Sequence, residues 1–247
     1  MIPARLASSR LPDKPLAPVG GRPLIAHVIE NARRAQSLDE LIVATDAETI
    51  AEAARAAGAT AVLTDPELPS GSDRIAAALR DRDFDIAVNV QGDEPEIAPK
   101  AIDAVVNLLA KDANLDLATA ASSLGSKAEF LDPNRVKVVL DDNGRALYFS
   151  RAPIPFQRRD GADTAMSRER AEWGLGHIGL YAYRRSALFD FVSRPPSALE
   201  RTERLEQLRA LQAGMTIGVV LVAEAPPGID TPKDLAAFAR RWAKRQA

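Results

Sequence analysis

Ile2-Pro-Ala-Arg-Leu-Ala-Ser-Ser-Arg-Leu-Pro-Asp-Lys-Pro-Leu16 opens on the end of an apolar strand and leads into a helix-like run from Pro23. Between them stand Arg5, Arg10 and Lys14, spaced by small residues and stiffened by Pro3, Pro12 and Pro15. Guanidinium forks and an ammonium on such a loop suit a ligand with many anionic oxygens, most simply a triphosphate. A solvated loop with idle cations is the competing reading. Proline density weighs against it, because a stiff loop loses less entropy on holding a ligand. Gly20-Gly21 would let the backbone approach that ligand, and the helix start at Pro23 favours negative charge. Neither a Walker A loop nor a Gly-x-Gly-x-x-Gly fingerprint is present. Only Met1 and Ile2 precede the turn, whereas a strand feeding such a loop needs about five residues. This predicts a true start upstream of Met1.

Outward from this stretch, short β-branched runs alternate with amphipathic ones. Strands are expected at Leu41–Ala44, Ala61–Leu63, Ile86–Val90, Leu117–Ala120, Val136–Leu140, Ala146–Phe149, Ile178–Tyr183 and Ile217–Val222. Helices are expected at Pro23–Ala35, Ala47–Ala57, Ser72–Arg80, Pro99–Lys111, Arg185–Phe191, Ala198–Ala213 and Pro232–Arg245. Gly58 stands where a left-handed helix end is expected. The alternation predicts an α/β fold with a parallel, doubly wound sheet in the first half. Asp141-Asp-Asn-Gly144 between two strand runs reads as a hairpin turn and an antiparallel excursion in the second half. The polar stretch Gln157–Gly176 reads as a long surface loop or lid.

The 247 residues are 46% hydrophobic and 27% charged, enough for one large α/β domain or one domain with a small appendage. A net charge of −2 offers no general field for nucleic acid or an anionic membrane. Cysteine is absent, which excludes disulfides and thiol nucleophiles and fits a reducing cytoplasm. No apolar run reaches the roughly 20 residues of a membrane span.

Asn89-Val-Gln-Gly-Asp-Glu-Pro95 follows a strand, so Asp93 falls at its carboxyl end, where open α/β sheets bind ligands. A carboxylate beside a triphosphate most often holds Mg2+, although Gly-Asp is also ordinary turn chemistry. Asp230, in Gly228-Ile-Asp-Thr-Pro232, either caps the following helix or meets Asp93 in a paired carboxylate site for magnesium. Pro69-Ser-Gly-Ser-Asp-Arg74 reads as a turn able to cradle a base or ribose, or as a capped helix start. His177 opens a strand. Glu206 and Gln207 lie with Glu203 on an expected helix, where such residues usually face solvent.

Together these elements resemble the 3-deoxy-manno-octulosonate cytidylyltransferases. The likeness also takes in Val43-Ala-Thr-Asp46, Asn134-x-Val-Lys-Val-Val139, Ala146-Leu-Tyr-Phe-Ser-Arg151, His177-x-Gly-x-Tyr181 and the Leu199–Arg209 stretch, in order along the chain. The resemblance implies a three-layer α/β fold of the nucleotide-diphospho-sugar transferase type, mostly parallel, forming a single domain over residues 1–247. A dimerisation lobe within about 130–190 and a homodimer are expected from it. It implies transfer of CMP from CTP to 3-deoxy-manno-octulosonate (Kdo), releasing pyrophosphate, in the cytoplasm and for lipopolysaccharide synthesis. An 8-amino Kdo or a sialic acid is the alternative acceptor. Arg10, Lys14, Asp93 and Asp230 would be catalytic, with Mg2+ on Asp93 and Asp230. Arg5, Ser8, Arg10, Lys14, Ser70, Gly71, Ser72 and Arg74 would hold the nucleotide. Gln91, Arg151, His177, Tyr181, Glu206 and Gln207 would line the sugar pocket. No nucleic acid or membrane partner is expected.

Overall fold

The structure, a computed structural model, describes residues 1–7, 11–157, 173–223 and 227–246. Chain packing divides it into two compact units, Met1–Ala104 with Pro226–Ala247, and Val105–Ala225.

The first unit begins with β1 (Ile2–Ala4), a 3-10 turn at Lys14–Leu16, and the antiparallel pair β2 (Pro18–Val19) and β3 (Arg22–Pro23). It continues through α1 (Leu24–Ala32), β4 (Ile42–Thr45), α2 (Glu48–Ala56), β5 (Thr60–Leu63), α3 (Gly71–Leu79) and β6 (Ile86–Asn89). β1, β4 and β5 are parallel, with Ile2 opposite Val43 and Ile42 opposite Thr60. The Val90 N–H donates to the Met1 carbonyl at 3.0 Å, tying the end of β6 to β1. All four residues of β4 are buried, the continuous apolar run of a strand covered on both faces.

After α4 (Pro99–Lys111) the second unit runs β7 (Leu117–Ser123), α5 (Lys127–Leu131), β8 (Lys137–Leu140), β9 (Ala146–Ser150), β10 (Leu175–Arg184), α6 (Arg185–Ser193), α7 (Ala198–Glu203), α8 (Gln207–Gln212) and β11 (Ile217–Leu221). Its strands lie in the order β11-β7-β10-β8-β9, with β11 parallel to β7 and the other pairs antiparallel. The expected excursion is thus present, turned by Asp141, whose carboxylate accepts the N–H groups of Asn143 and Arg145 at 2.9 and 2.8 Å. Helix α9 (Pro232–Gln246) belongs to the first unit.

Three expectations are corrected. The single helix at Ala198–Ala213 is two, broken where Arg204 takes a left-handed φ of 52°. Leu175 and Gly176 belong to β10 rather than to a loop, and 158–172 lie outside the described residues. Gly20 and Gly21 make the β2–β3 turn at φ 56° and 77°, and a Cβ on Gly20 would stand 2.1 Å from the Trp242 ring. Their conformational freedom serves this turn and its packing against α9, not close approach to a ligand.

Candidate active site

The chain is pinned on either side of Lys14. Leu11 is buried with Val19, Leu24, Ile229 and Phe238, and Pro15 is buried in the 3-10 turn. Asp13 enters that turn at a left-handed φ of 50°, and its carbonyl accepts the Leu16 N–H at 2.8 Å. Lys14 is therefore held on a rigid bend, and its side chain is only 16% exposed. Its Nζ lies 2.6 Å from Asp93 Oδ2, 3.2 Å from Asp230 Oδ1 and 3.0 Å from the Ile229 carbonyl.

The two aspartates thus converge on one point although they come from distant segments. Ile229 N–H donates to the Asp93 carbonyl at 2.9 Å, tying the two loops backbone to backbone. Gly92 allows the Asp93 turn to lie against β1, since a Cβ there would sit 3.0 Å from the Pro3 carbonyl. The question left open at Asp230 is resolved by Thr231. Its Oγ1 accepts the Asp234 N–H at 3.2 Å while Asp234 Oδ2 accepts the Thr231 N–H at 2.9 Å, a reciprocal cap on α9. The Thr231 hydroxyl also donates to Asp234 Oδ2 at 2.7 Å, and this bond first, with the Thr231 and Asp230 N–H groups after it, holds the Asp234 carboxyl below the usual range. Thr231 closes the helix, and the Asp230 carboxylate faces Lys14. Beside Asp93, burial and then the Asp93 charge push the half-buried Glu94 carboxyl up to about 8.

Lys14, Asp93 and Asp230 line an open cavity of about 350 Å³, within the range of small-molecule sites. Arg5, Ser70, Gly71, Arg74 and Gln91 also line it. Ser70 caps α3, accepting the Asp73 N–H at 3.1 Å and donating to Asp73 Oδ2 at 2.6 Å. Gly71 packs its backbone on the Pro3 ring. Ser72 is buried and is not part of the cavity wall. Arg74 is 3% exposed, donates to Thr64 Oγ1, and stands 3.6 Å from Asp46 Oδ2. Asp46 Oδ1 in turn accepts the Leu6 N–H at 3.1 Å, so this carboxylate fastens the cationic loop to the Arg74 wall. Asp46 was matched in sequence without a role; its place just past the carboxyl end of β4 was the available signal. Ser8 and Arg10 lie outside the described residues.

In the second unit, His177 and Tyr181 are four residues apart on β10, which would separate them by roughly 13 Å on a regular strand. Their rings are 5.3 Å apart. The cause is a bulge: Ile178 faces Ala120 and Tyr181 faces Thr119, leaving Gly179 and Leu180 without partners on β7. The buried Thr119 hydroxyl fills the gap, donating to the Leu180 carbonyl at 2.7 Å. Its single proton being spent, Thr119 Oγ1 accepts at 3.0 Å from His177 Nε2, which assigns the Nε2–H tautomer. Burial pulls the His177 pKa down to about 3, so the ring is neutral at pH 7.

Arg151 and Glu203 are interlocked. The Glu203 carboxylate accepts the Ser150 hydroxyl at 2.6 Å and the Arg151 N–H at 3.0 Å. Three of the five Arg151 guanidinium donors go to the carbonyls of Glu203, Pro133 and Arg204. Sequence reasoning gave Lys137 no role. It is fully buried on β8, and its Nζ donates to the carbonyls of Asp132, Arg135 and Arg151 at 2.8, 2.6 and 2.7 Å. Burial lowers its pKa below the ordinary lysine value. Gln207 is 7% exposed, which corrects the expectation of a solvent-facing residue. Glu206 precedes α8, its carboxylate 3.8 Å from the buried Arg209, which pairs with Glu200 at 2.7 Å.

Two carboxylate oxygens and one backbone carbonyl gathered around a single ammonium form a hard oxygen donor set. Such a set fits Mg2+, which takes one or two carboxylates and completes its shell with water and phosphate. Among the described residues no cluster of three or more His, Cys, Asp or Glu is assembled for a metal, so phosphate oxygens would be needed. No helix of the described residues is long and apolar enough to cross a membrane.

A cytidylyltransferase family model matches residues 1–217. A 3-deoxy-manno-octulosonate cytidylyltransferase of Rhodospirillum centenum is 50% identical over 95% of this chain and 89% of its own length. The protein of that name in Bdellovibrio bacteriovorus is 46% identical over 96% and 94%. Among solved structures, a CMP:2-keto-3-deoxy-manno-octonic acid synthetase complexed with CTP is 40% identical, with a TM-score of 0.90 over 99% of this chain and 97% of that one. The 4-diphosphocytidyl-2C-methyl-D-erythritol synthase of Anaerococcus prevotii, 13% identical at a TM-score of 0.63, shares the fold.

Proposed function

The chain belongs to the cytidylyltransferase family, among the 3-deoxy-manno-octulosonate cytidylyltransferases, and we propose that it transfers CMP from CTP to Kdo, releasing pyrophosphate. The observation that carries the site assignment is the meeting of Asp93 and Asp230 over Lys14 in the cavity wall. In-line attack of the sugar's anomeric hydroxyl on the α-phosphorus needs positioning and charge neutralisation more than covalent help. Lys14, with Arg5 and Arg10, neutralises the charge that grows on the leaving pyrophosphate. Asp93 and Asp230 would hold Mg2+, which when bound polarises a phosphate oxygen and acidifies a coordinated hydroxyl. Ser70, Gly71, Ser72 and Arg74 serve the nucleoside end; Ser72 acts from inside α3 by fixing the shape of that wall.

Gln91, Arg151, His177, Tyr181, Glu206 and Gln207 are proposed as the sugar-acid contacts. A neutral His177 with Nε2–H committed to Thr119 offers Nδ1 as an acceptor for a sugar hydroxyl. The proposal includes a homodimer formed through the second unit. Leu147 on the terminal strand β9 is 60% exposed and Phe156 85% exposed, apolar side chains of the kind an interface covers. CTP consumption and a cysteine-free sequence support a cytoplasmic reaction, one that activates Kdo for lipopolysaccharide synthesis. The test is pyrophosphate release across a panel of nucleotides and sugar acids. CTP with Kdo is expected to exceed every other pair, and release confined to another acid would replace Kdo as the acceptor.

A further inference from the structure

We propose that Lys14 is a placeholder that keeps the carboxylate pair closed to divalent cations until a nucleotide arrives. This rests on the reading of Asp93 and Asp230 as metal ligands and concerns how the site is loaded. The Lys14 ammonium sits within 2.6 to 3.2 Å of Asp93 Oδ2, Asp230 Oδ1 and the Ile229 carbonyl. Those are the oxygens a hard divalent cation would take, so ammonium and metal require the same place. The 3-10 turn and buried Pro15 hold the lysine there at little entropic cost, and the Ile229–Asp93 backbone bond keeps its three acceptors together.

Like charges exclude one another at such distances. A metal can enter only as the ammonium leaves, and the ammonium leaves only for oxygens at least as anionic as those it gives up. A triphosphate tail in the same cavity supplies them. Nucleotide and metal then strengthen each other's binding by one common factor, as linkage requires. Lys14 has two successive tasks: it neutralises the carboxylates in the free protein and the phosphates in the loaded one.

The test is Mn2+ binding to the nucleotide-free full chain, followed by electron paramagnetic resonance and calorimetry. Lys14→Met and Lys14→Gln are compared with wild type, each with and without Asp93→Asn, and melting in chelator establishes that each variant is folded. The amide of Lys14→Gln still donates hydrogen bonds, which serves if the methionine variant is unstable. Both single variants are expected to bind Mn2+ at least about tenfold tighter than wild type, a coupling of ordinary size, and Asp93→Asn is expected to abolish the gain. Equal affinity in wild type and the Lys14 variants overturns the placeholder role while leaving wild-type pyrophosphate release untouched. A gain that survives Asp93→Asn overturns it as well, by locating the cation elsewhere.

Discussion

Ile229 donates its backbone N–H to the Asp93 carbonyl at 2.9 Å, so the two segments carrying the acidic pair are one hydrogen bond apart. Ile229 itself is 1% exposed within the cluster of Leu11, Val19, Leu24 and Phe238. The hydrophobic core that anchors the cationic loop therefore also sets the position of Asp230. Side-chain geometry at the cavity follows from packing beneath it.

Asp93→Asn is expected to lower turnover by about 100-fold or more, the usual scale for losing one fixed electrostatic group. The fold should be retained, because the Asp93 side chain is 31% exposed and its backbone tie to Ile229 is unchanged. Pyrophosphate release and a denaturation curve measured together check this. Near-normal turnover removes the metal assignment.

Lys137→Met is expected to destabilise the protein by roughly 3 kcal/mol, because three buried carbonyls lose their common donor. One of the three belongs to Arg151, so the KM for the sugar acid should rise more than that for CTP. Urea unfolding and steady-state kinetics with each substrate varied in turn test both halves. An equal rise in the two KM values would count against Arg151 as a sugar contact.

The half-buried His177 gives a signed pH dependence. Its ordinary pKa of 6.5 is lowered to about 3 on folding. Across that window the unfolded chain takes up a proton that the folded chain refuses, so stability falls as pH drops below 6.5. From pH 7 to pH 5 the loss should be about 1 to 2 kcal/mol. His177→Gln, which keeps a donor for Thr119, should flatten the slope in denaturant midpoints at the two pH values.

Gly20→Ala is expected to destabilise by roughly 2 kcal/mol or more, combining a left-handed φ with a clash against Trp242. Trp242→Ala should relieve the steric part only, so the double variant is less destabilised than the sum of the singles. Additive losses would mean that strain in the turn accounts for the whole effect.

Leu147→Glu is expected to leave the monomer folded and, on the homodimer reading, to shift sedimentation toward the smaller species. A substitution on an edge strand, at a side chain 60% exposed, costs the monomer little. An unchanged sedimentation profile places any self-association on another surface.

Local signals made most elements legible. Pro99–Lys111 is a helix over its whole expected span, with proline at its first position. The Asp141–Gly144 turn was readable because its residue types demand it. The break between α7 and α8 was not, since Ala198–Ala213 contains no internal glycine or proline and its periodicity runs on. The partner responsible is Arg151, whose guanidinium takes the carbonyls of Glu203 and Arg204 from some 50 residues away. The same holds for Lys137, which no local signal singles out, because the carbonyls that satisfy it come from three separate residues. At Asp230 composition allowed a cap or a ligand equally, and only the placement of Thr231 and Asp234 decides between them.

Three carbonyls converge beneath Arg151 on one cation, the Lys137 ammonium. Here the cation is covalently part of the chain, delivered once by folding and never exchanged. The scaffold under Arg151 should therefore hold its shape in potassium, sodium or neither, indifferent to the alkali content of its surroundings.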